Sequence, residues 1–361
     1  MLNVVKFIKN NADWENKLKE EPYFLSIKRK DNLVMFDYTQ GRSQPCEIVN
    51  ECRGLILDSD NDFKVVRYGF YRFYNYGEPG ATTIDNTSMS ITEKVDGSLV
   101  MIYYYNNTWH ISTRSTFDAI DASIHDTGKT FDSVIREALH TQNIDINTFD
   151  KECTYVFEVV SPETRVIVKY DKPEIYFLMC RNNITYEEVS CNINCQKPKT
   201  YEFKTLEDII SYVSEFNGID FEGVVVKDKY NHRVKIKNLN WLKLHYLYGN
   251  GNMTESRLLE VWWGGEYEEY ISYFPEYKDM FEKEFSKFWK LLYLSFLLDK
   301  LDLKSKMTKF QLVKIVERTV RVGALQQMIY KAYDGRAFEW FVRMDPDWYL
   351  NYFEGVWMNN D

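Results

Sequence analysis

Lys94-Val95-Asp96-Gly97-Ser98-Leu99-Val100 is the stretch whose reading decides the fold. The lysine stands two residues before an Asp-Gly pair, with β-prone runs on both sides, Met89 to Thr92 before it and Leu99 to Tyr105 after it. Asp-Gly between two such runs is a hairpin signal, so a surface turn is the plain reading. The same geometry also suits chemistry. A lysine at a strand end projects its amine beyond the sheet, and a glycine lets a phosphate approach the backbone closely. A lysine forms a covalent phosphoramidate only as a neutral amine, which burial and neighbouring cations favour by depressing its pKa.

The motif alone is weak, because roughly one chain in ten of this size would carry it by chance. Its weight comes from groups that follow it in order. Glu158 lies inside the apolar run Tyr155-Val156-Phe157-Glu158-Val159-Val160, where a buried carboxylate needs a partner or else marks a face open to ligand. Phe157, or an aromatic of Tyr176-Phe177, is a candidate to stack on a purine, although core packing is the commoner fate of such rings. Glu222 precedes Gly223-Val224-Val225-Val226 and is placed as a strand-start carboxylate suits Mg²⁺, which takes one or two carboxylates together with water and phosphates. Lys235 and Lys237 alternate with Val234 and Ile236, so both amines share one sheet face. Side by side they repel unless an anion sits between them; the plain reading is an edge strand guarded by lysines.

The rest of the chain bounds these readings. Its 361 residues suffice for two domains, and 45% hydrophobic content, rich in Tyr, Phe and Trp, indicates aromatic-rich cores. Met1 to Glu20 carries charges throughout and lacks the apolar core of a signal peptide. The best candidate for a membrane span, Phe288 to Leu298, is too short and is interrupted by Lys290, so no membrane partner is expected. Cys46, Cys52, Cys153, Cys180, Cys191 and Cys195 form no Cys-x-x-Cys pairs and read as reduced thiols of a cytoplasmic protein. The net charge of −9 does not exclude nucleic acid, because local field attracts phosphate and the cations are bunched. One bunch is Lys227, Lys229, His232, Arg233, Lys235, Lys237 and Lys243; the other is Lys304, Lys306, Lys309, Lys314, Arg318 and Arg321.

Short β-rich runs dominate from Ser26 to His245: Leu33 to Tyr38, Gly54 to Leu57, Leu99 to Tyr105, Tyr155 to Val160, Val166 to Tyr170, Ile175 to Cys180, Gly223 to Val226 and Arg233 to Ile236. Phe131 to Leu139 and Leu206 to Phe216 carry helical spacing. The fold class is α+β, with antiparallel sheets rather than a doubly wound fold. After Gly249-Asn250-Gly251 the pattern turns helical: Thr254 to Trp263, Tyr277 to Leu301, Thr308 to Val322 with a Thr308/Gln311 capping box, Ala324 to Tyr333, and Ala337 to Val342. Two domains are expected, 1–247 and an all-helical 248–361.

Taken in order, Glu51-Cys52-Arg53-Gly54, Phe73-Tyr74-Asn75-Tyr76-Gly77-Glu78, the Lys94 motif, Phe157-Glu158-Val159-Val160-Ser161-Pro162, Arg165-Val166-Ile167-Val168, Glu222-Gly223, Val234-Lys235-Ile236-Lys237 and Leu244-His245 form a specific series. The series resembles the covalent nucleotidyltransferase superfamily of ligases and mRNA capping enzymes. Within it, it looks most like the ATP-dependent RNA ligases of T-even bacteriophages, the RNA ligase 1 type, over roughly residues 25 to 245.

The resemblance implies an antiparallel-sheet adenylylation domain and a role for each residue. Lys94 would take AMP from ATP, with Lys235 and Lys237 on the α-phosphate and Glu222 placing Mg²⁺ or Mn²⁺. Arg53 would orient the nucleotide, Glu158 would hold its ribose, and Gly97 would admit the backbone to it. Arg72 stands where a lysine engaging the departing pyrophosphate is expected, and Arg114 where lysine is frequent; both keep the charge. The implied substrates are RNA ends bearing 5′-phosphate and 3′-hydroxyl, nicked tRNA among them, prepared by a polynucleotide kinase/phosphatase. A monomer acting in the cytoplasm, the host's if the protein is viral, is expected. DNA ligases and capping enzymes share the core but generally append an OB-fold, whose five short strands are not seen after Lys237. A catalytically inactive RNA-binding module is the alternative from another class.

Overall fold

Alternating apolar and polar residues build three sheets in the first of two units, Met1–His245. A computed structural model describes residues 1–39, 42–124, 127–248, 261, 271, 275–320 and 323–343. The first sheet is an antiparallel meander of β1 (Leu25–Lys30), β2 (Leu33–Tyr38), β3 (Arg53–Asp58) and β4 (Lys64–Arg67). The remaining strands are β5 (Tyr74–Asn75), β6 (Ser90–Glu93), β7 (Ser98–Tyr105), β8 (Thr108–Thr113), β9 (Cys153–Val160), β10 (Glu174–Asn182), β11 (Glu188–Val189), β12 (Thr200–Tyr201), β13 (Gly223–Lys227) and β14 (Arg233–Lys237). They form one sheet in the order β11-β10-β9-β7-β8 and another in the order β12-β6-β13-β14-β5. Every pairing is antiparallel except that of β14 with the two-residue β5.

β9 is buried along its whole length between β7 and β10, which explains why its sequence is a nearly continuous apolar run rather than an alternating one. Phe157 and Val159 pack on one face with Val134, Ile135 and Ala138 of the helix Phe131–Thr141. Val156 packs on the other with Met101, Met179 and Phe70. Val224, Val226, Val234 and Ile236 face the helix Leu206–Ser214, leaving Lys235 and Lys237 on the opposite side of β14.

Two expectations fail here. β6 and β7 are not a hairpin: they belong to different sheets, and Lys94–Gly97 crosses between them. Val166 to Tyr170 is not a strand, because the Asp96 carboxylate accepts the backbone N–H of Ile167 (2.9 Å) and of Val168 (2.7 Å), which a ladder would have used.

The second unit, Tyr246–Asp361, is helical where described. Helices Lys278–Lys300, Leu303–Lys306, Lys309–Thr319, Gly323–Ala332 and Ala337–Val342 surround Phe288, Leu291, Leu312, Val316, Met328 and Phe341. Thr308 and Gln311 form the capping box: the Thr308 hydroxyl accepts from the Gln311 N–H, and the Gln311 side chain accepts from the Thr308 N–H. Of the expected helix over Thr254 to Trp263 only Val261 is among the described residues, and Arg321 of the basic cluster lies outside them. Among the described residues no helix is long and apolar enough to cross a membrane. All six cysteines are free thiols.

Candidate active site

The crossover carrying Lys94 is pinned at three points. The Lys94 N–H donates to the Gly223 carbonyl (2.8 Å), extending the β6–β13 ladder by one residue. Asp96, 4% exposed, accepts from Ile167, Val168 and the Trp241 indole N–H (3.2 Å). At Gly97 any Cβ would lie 2.4 Å from the Val159 carbonyl oxygen and 3.1 Å from Glu158 Cγ, so only glycine lets the crossover press against β9.

This places Lys94 Nζ 2.7 Å from Glu222 Oε2, while Lys237 Nζ stands 2.9 Å from Glu222 Oε1. One buried carboxylate thus serves two amines. Burial works to lower the pKa of Lys94, but the charge of Glu222, with Glu158 and Asp96 behind it, outweighs burial and holds the amine above its ordinary value. The expected depression of Lys94 therefore falls elsewhere, on Lys235. Burial and the charges of Arg53, Lys237 and Lys94 bring Lys235 down to about 7, and it makes no ion pair among the described residues. Lys237 is lowered too, chiefly by burial. Glu158 is pushed up to about 7 by burial and by the Glu222 charge, against the pull of Lys94.

These groups line a cavity of about 430 Å³, the size of a small-molecule pocket. Arg53, Lys94, Lys197, Lys227, Arg233, Lys235 and Lys237 face it with Glu93 and Glu158, and even with Glu222 and Glu188 behind them the cations outnumber the carboxylates, so its field favours an anion. Phe70, Leu99, Phe177 and Val225 supply apolar wall. The Arg53 guanidinium lies 5.7 Å from the ring centroids of both Phe70 and Phe73, and its buried Nη1 has no hydrogen-bond partner among the described residues. A buried donor left unpaired in a cavity wall is a position where an acceptor ligand gains most.

The structure thus brings Lys94, Lys235, Lys237, Glu158 and Arg53 to one cavity, with Glu222 behind two of them and Gly97 beneath. It does not bring Arg72 or Arg114 there. The Arg72 guanidinium is stacked between the rings of Tyr38 (4.0 Å) and Tyr74 (4.6 Å), and Arg114 pairs with Asp37 (3.0 Å) beside the same Tyr38. Phe157 is fully buried in the core and cannot stack on a base; Phe177 lines the cavity instead. Lys197 and Glu93 were missed. Lys197 sits where the chain leaves the edge of β10, after Gln196 accepts the Phe177 N–H (2.8 Å), and crosses to β12. The only sequence signal was a Lys-Pro-Lys triplet in a loop. Glu93 is the residue before the nucleophile candidate, half-buried and raised in pKa by burial.

The cavity is nucleotide-sized, lies between two of the sheets and has Lys94 among the cations of its wall. A family profile described as RNA ligase matches residues 51–242, just over half of the chain. The chain belongs to that family, of the T4 RNA ligase 1 type. A protein of Autographa californica nuclear polyhedrosis virus described as "Putative bifunctional polynucleotide kinase/RNA ligase" is 31% identical over an alignment of length 272 that covers 69% of this chain and 38% of that protein. An "RNA ligase" of Rhodothermus phage RM378 is 29% identical over an alignment of length 200 that covers 44% of this chain and 43% of that protein. The chain thus spans less than half the length of these relatives. Among solved structures, an archaeal ATP-dependent RNA ligase is similar with TM-score 0.45 and 11% identity, covering 68% of this chain and 67% of that one. Naegleria gruberi RNA ligase with PPi is similar with TM-score 0.33 and 12% identity, over 44% and 51%.

Proposed function

We propose that this chain is an ATP-dependent RNA ligase that works through a lysyl-AMP intermediate on Lys94. The observation that carries this is the convergence of Lys94, Glu222, Lys237, Lys235, Glu158 and Arg53 on one cavity. Lys94 Nζ, once deprotonated, attacks the α-phosphorus of ATP; a P–N bond forms, the bond to the β-phosphate oxygen breaks, and pyrophosphate leaves. An oxygen of an RNA 5′-phosphate then attacks the same phosphorus, breaking the P–N bond and returning the amine. Finally a 3′-hydroxyl attacks the RNA 5′-phosphorus, loses its proton, and expels AMP.

Lys235 and Lys237 hold the α-phosphate, and Arg53 Nη1 supplies a donor to phosphate or sugar. Glu158 accepts from a ribose hydroxyl, and the wall of Phe177, Leu99 and Val225 takes the base. Glu222, with phosphate oxygens, fits a hard divalent cation, Mg²⁺ or Mn²⁺. Such a cation would compensate phosphate charge and draw the carboxylate away from Lys94, lowering that amine's pKa. RNA backbone would meet exposed Lys304, Lys306, Lys309, Lys314 and Arg318 of the helical unit. Nicked tRNA is the proposed RNA, its ends prepared by a kinase/phosphatase; the viral relative's description, which joins kinase to ligase, supports the pairing.

Incubation with α-labelled ATP and Mg²⁺ tests the proposal: the chain should acquire an acid-labile label that Lys94→Ala lacks. A labelled Lys94→Ala protein would remove Lys94 as nucleophile. Offering RNA and DNA ends with 5′-phosphate in the same assay then reads the substrate, and joining of RNA is expected.

A further inference from the structure

A second cavity, of about 460 Å³, lies beside the first and shares Phe73 and Arg233 with it as wall. Its chemistry is different. Tyr68, Tyr71, Tyr186 and Tyr230 contribute aromatic faces, and Arg72, which the nucleotide cavity leaves out, lines this one. The Arg72 guanidinium has a carbonyl partner, Ser43 O at 3.2 Å, and no ion pair among the described residues. By contrast, Glu188 neutralises Arg233, with both guanidinium contacts at 2.6 Å, and also meets Arg181 at 3.2 Å.

Tyr230 stands at the tip of the turn between β13 and β14 and is 63% exposed, which for so large a ring needs a reason. The turn itself is held firmly. Asp228 Oδ1 accepts the backbone N–H of Tyr230 (2.9 Å) and of His232 (3.0 Å), and Asp228 Oδ2 lies 3.1 Å from His232 Nδ1. The His232 ring lies 5.9 Å from that of Tyr230. A rigid turn presenting exposed aromatic surface beside an arginine-lined cavity is how proteins hold unpaired bases: rings stack on base faces and cations meet the backbone.

We infer that this cavity binds the terminal nucleoside of the RNA strand whose 5′-phosphate receives AMP, with Tyr230 as its stacking platform. The inference rests on the ligase proposal for the identity of the strand. The shared wall supports the placement: a strand end seated there would bring its 5′-phosphate to the Phe73 and Arg233 border with the nucleotide cavity.

A short 5′-phosphorylated RNA with 5-iodouridine as its first nucleotide tests it, irradiated with the full chain and mapped by mass spectrometry. Crosslinks to Tyr230, Tyr71 or Tyr186 are expected; crosslinks confined to other surfaces overturn the inference. In parallel, Tyr230→Ala should raise the KM for RNA in joining by about tenfold, the scale of one lost stacking contact, with Tyr230→Trp restoring it and lysyl-AMP formation unaltered. Unchanged KM overturns the inference, and so does loss of lysyl-AMP formation, which would assign the cavity to ATP. A wild-type chain that never acquires AMP refutes the ligase proposal, an outcome read separately from the crosslink map.

Discussion

Replacing Lys235 with methionine should stabilise the nucleotide-free protein while removing its ability to bind phosphate. Lys235 is half-buried beside Arg53, Lys237 and Lys94, and its pKa falls from the ordinary 10.5 to about 7. At 1.36 kcal/mol per pH unit, that fall corresponds to a ceiling of about 5 kcal/mol of destabilisation when the amine is charged. Local relaxation and water entry reduce it, and about 1–2 kcal/mol is the expected gain at pH 6, or about 2–8 °C in Tm for a unit of this size. The sign with pH follows from the depressed folded value. Below about pH 7 the amine is charged in both folded and unfolded chains, so the whole penalty is present. Between 7 and 10.5 the unfolded chain binds the extra proton, so wild-type stability climbs with pH relative to the variant. Thermal melts of Lys235→Met and wild type at pH 6 and 9.5, without nucleotide, should show a gain that shrinks to about a third. A variant that is destabilised, or whose gain is the same at both pH values, would refute the picture of an uncompensated half-buried cation.

Glu222→Gln removes the largest charge that raises Lys94, leaving burial to lower its pKa against the weaker pull of Glu158 and Asp96. Acylation of Lys94 by an amine-directed reagent at pH 8, followed by mass spectrometry, should then be faster than in wild type; an equal or slower rate contradicts the assignment. Asp96→Ala orphans the N–H groups of Ile167 and Val168 and the Trp241 indole, so a loss of about 3 kcal/mol is expected in urea unfolding. Asp96→Asn, which retains one acceptor oxygen, should lose less than half of that, and equal losses would show that hydrogen bonding is not what matters there.

Eight of the fourteen strands described in the first unit were legible because period-2 alternation and β-branched runs are local, whereas β1, β4, β5, β8, β11 and β12 were not singled out. Leu33–Tyr38 is matched residue for residue, and the other bounds shift by a residue or two. What failed was long-range. Nothing in Met89 to Tyr105 tells which sheet each run joins, so an inter-sheet crossover looks like a hairpin until β13 and β9 supply the partners. Val166 to Tyr170 has strand composition, but a side chain 71 residues earlier takes its first donors. Electrostatics failed for the same reason. The sequence shows cations near one another in order, not that Glu222 comes within 2.7 Å of Lys94 and so reverses the sign of its shift.

That reversal changes how the site is understood to work. Among the described residues, Lys235 makes no ion pair and Arg53 Nη1 has no acceptor, whereas Glu222 is divided between two ammonium groups. A phosphate chain would satisfy the first two, and a cation taken up with it would compete with Lys94 for the third. On the proposed mechanism, deprotonation of Lys94 would be tied to arrival of that cation with the substrate, because the cation weakens the hold of Glu222 on the amine. On that reading Lys94 need not be reactive beforehand: held as an ammonium it would resist other electrophiles, and phosphate binding would be the return for cations that a folded core otherwise avoids.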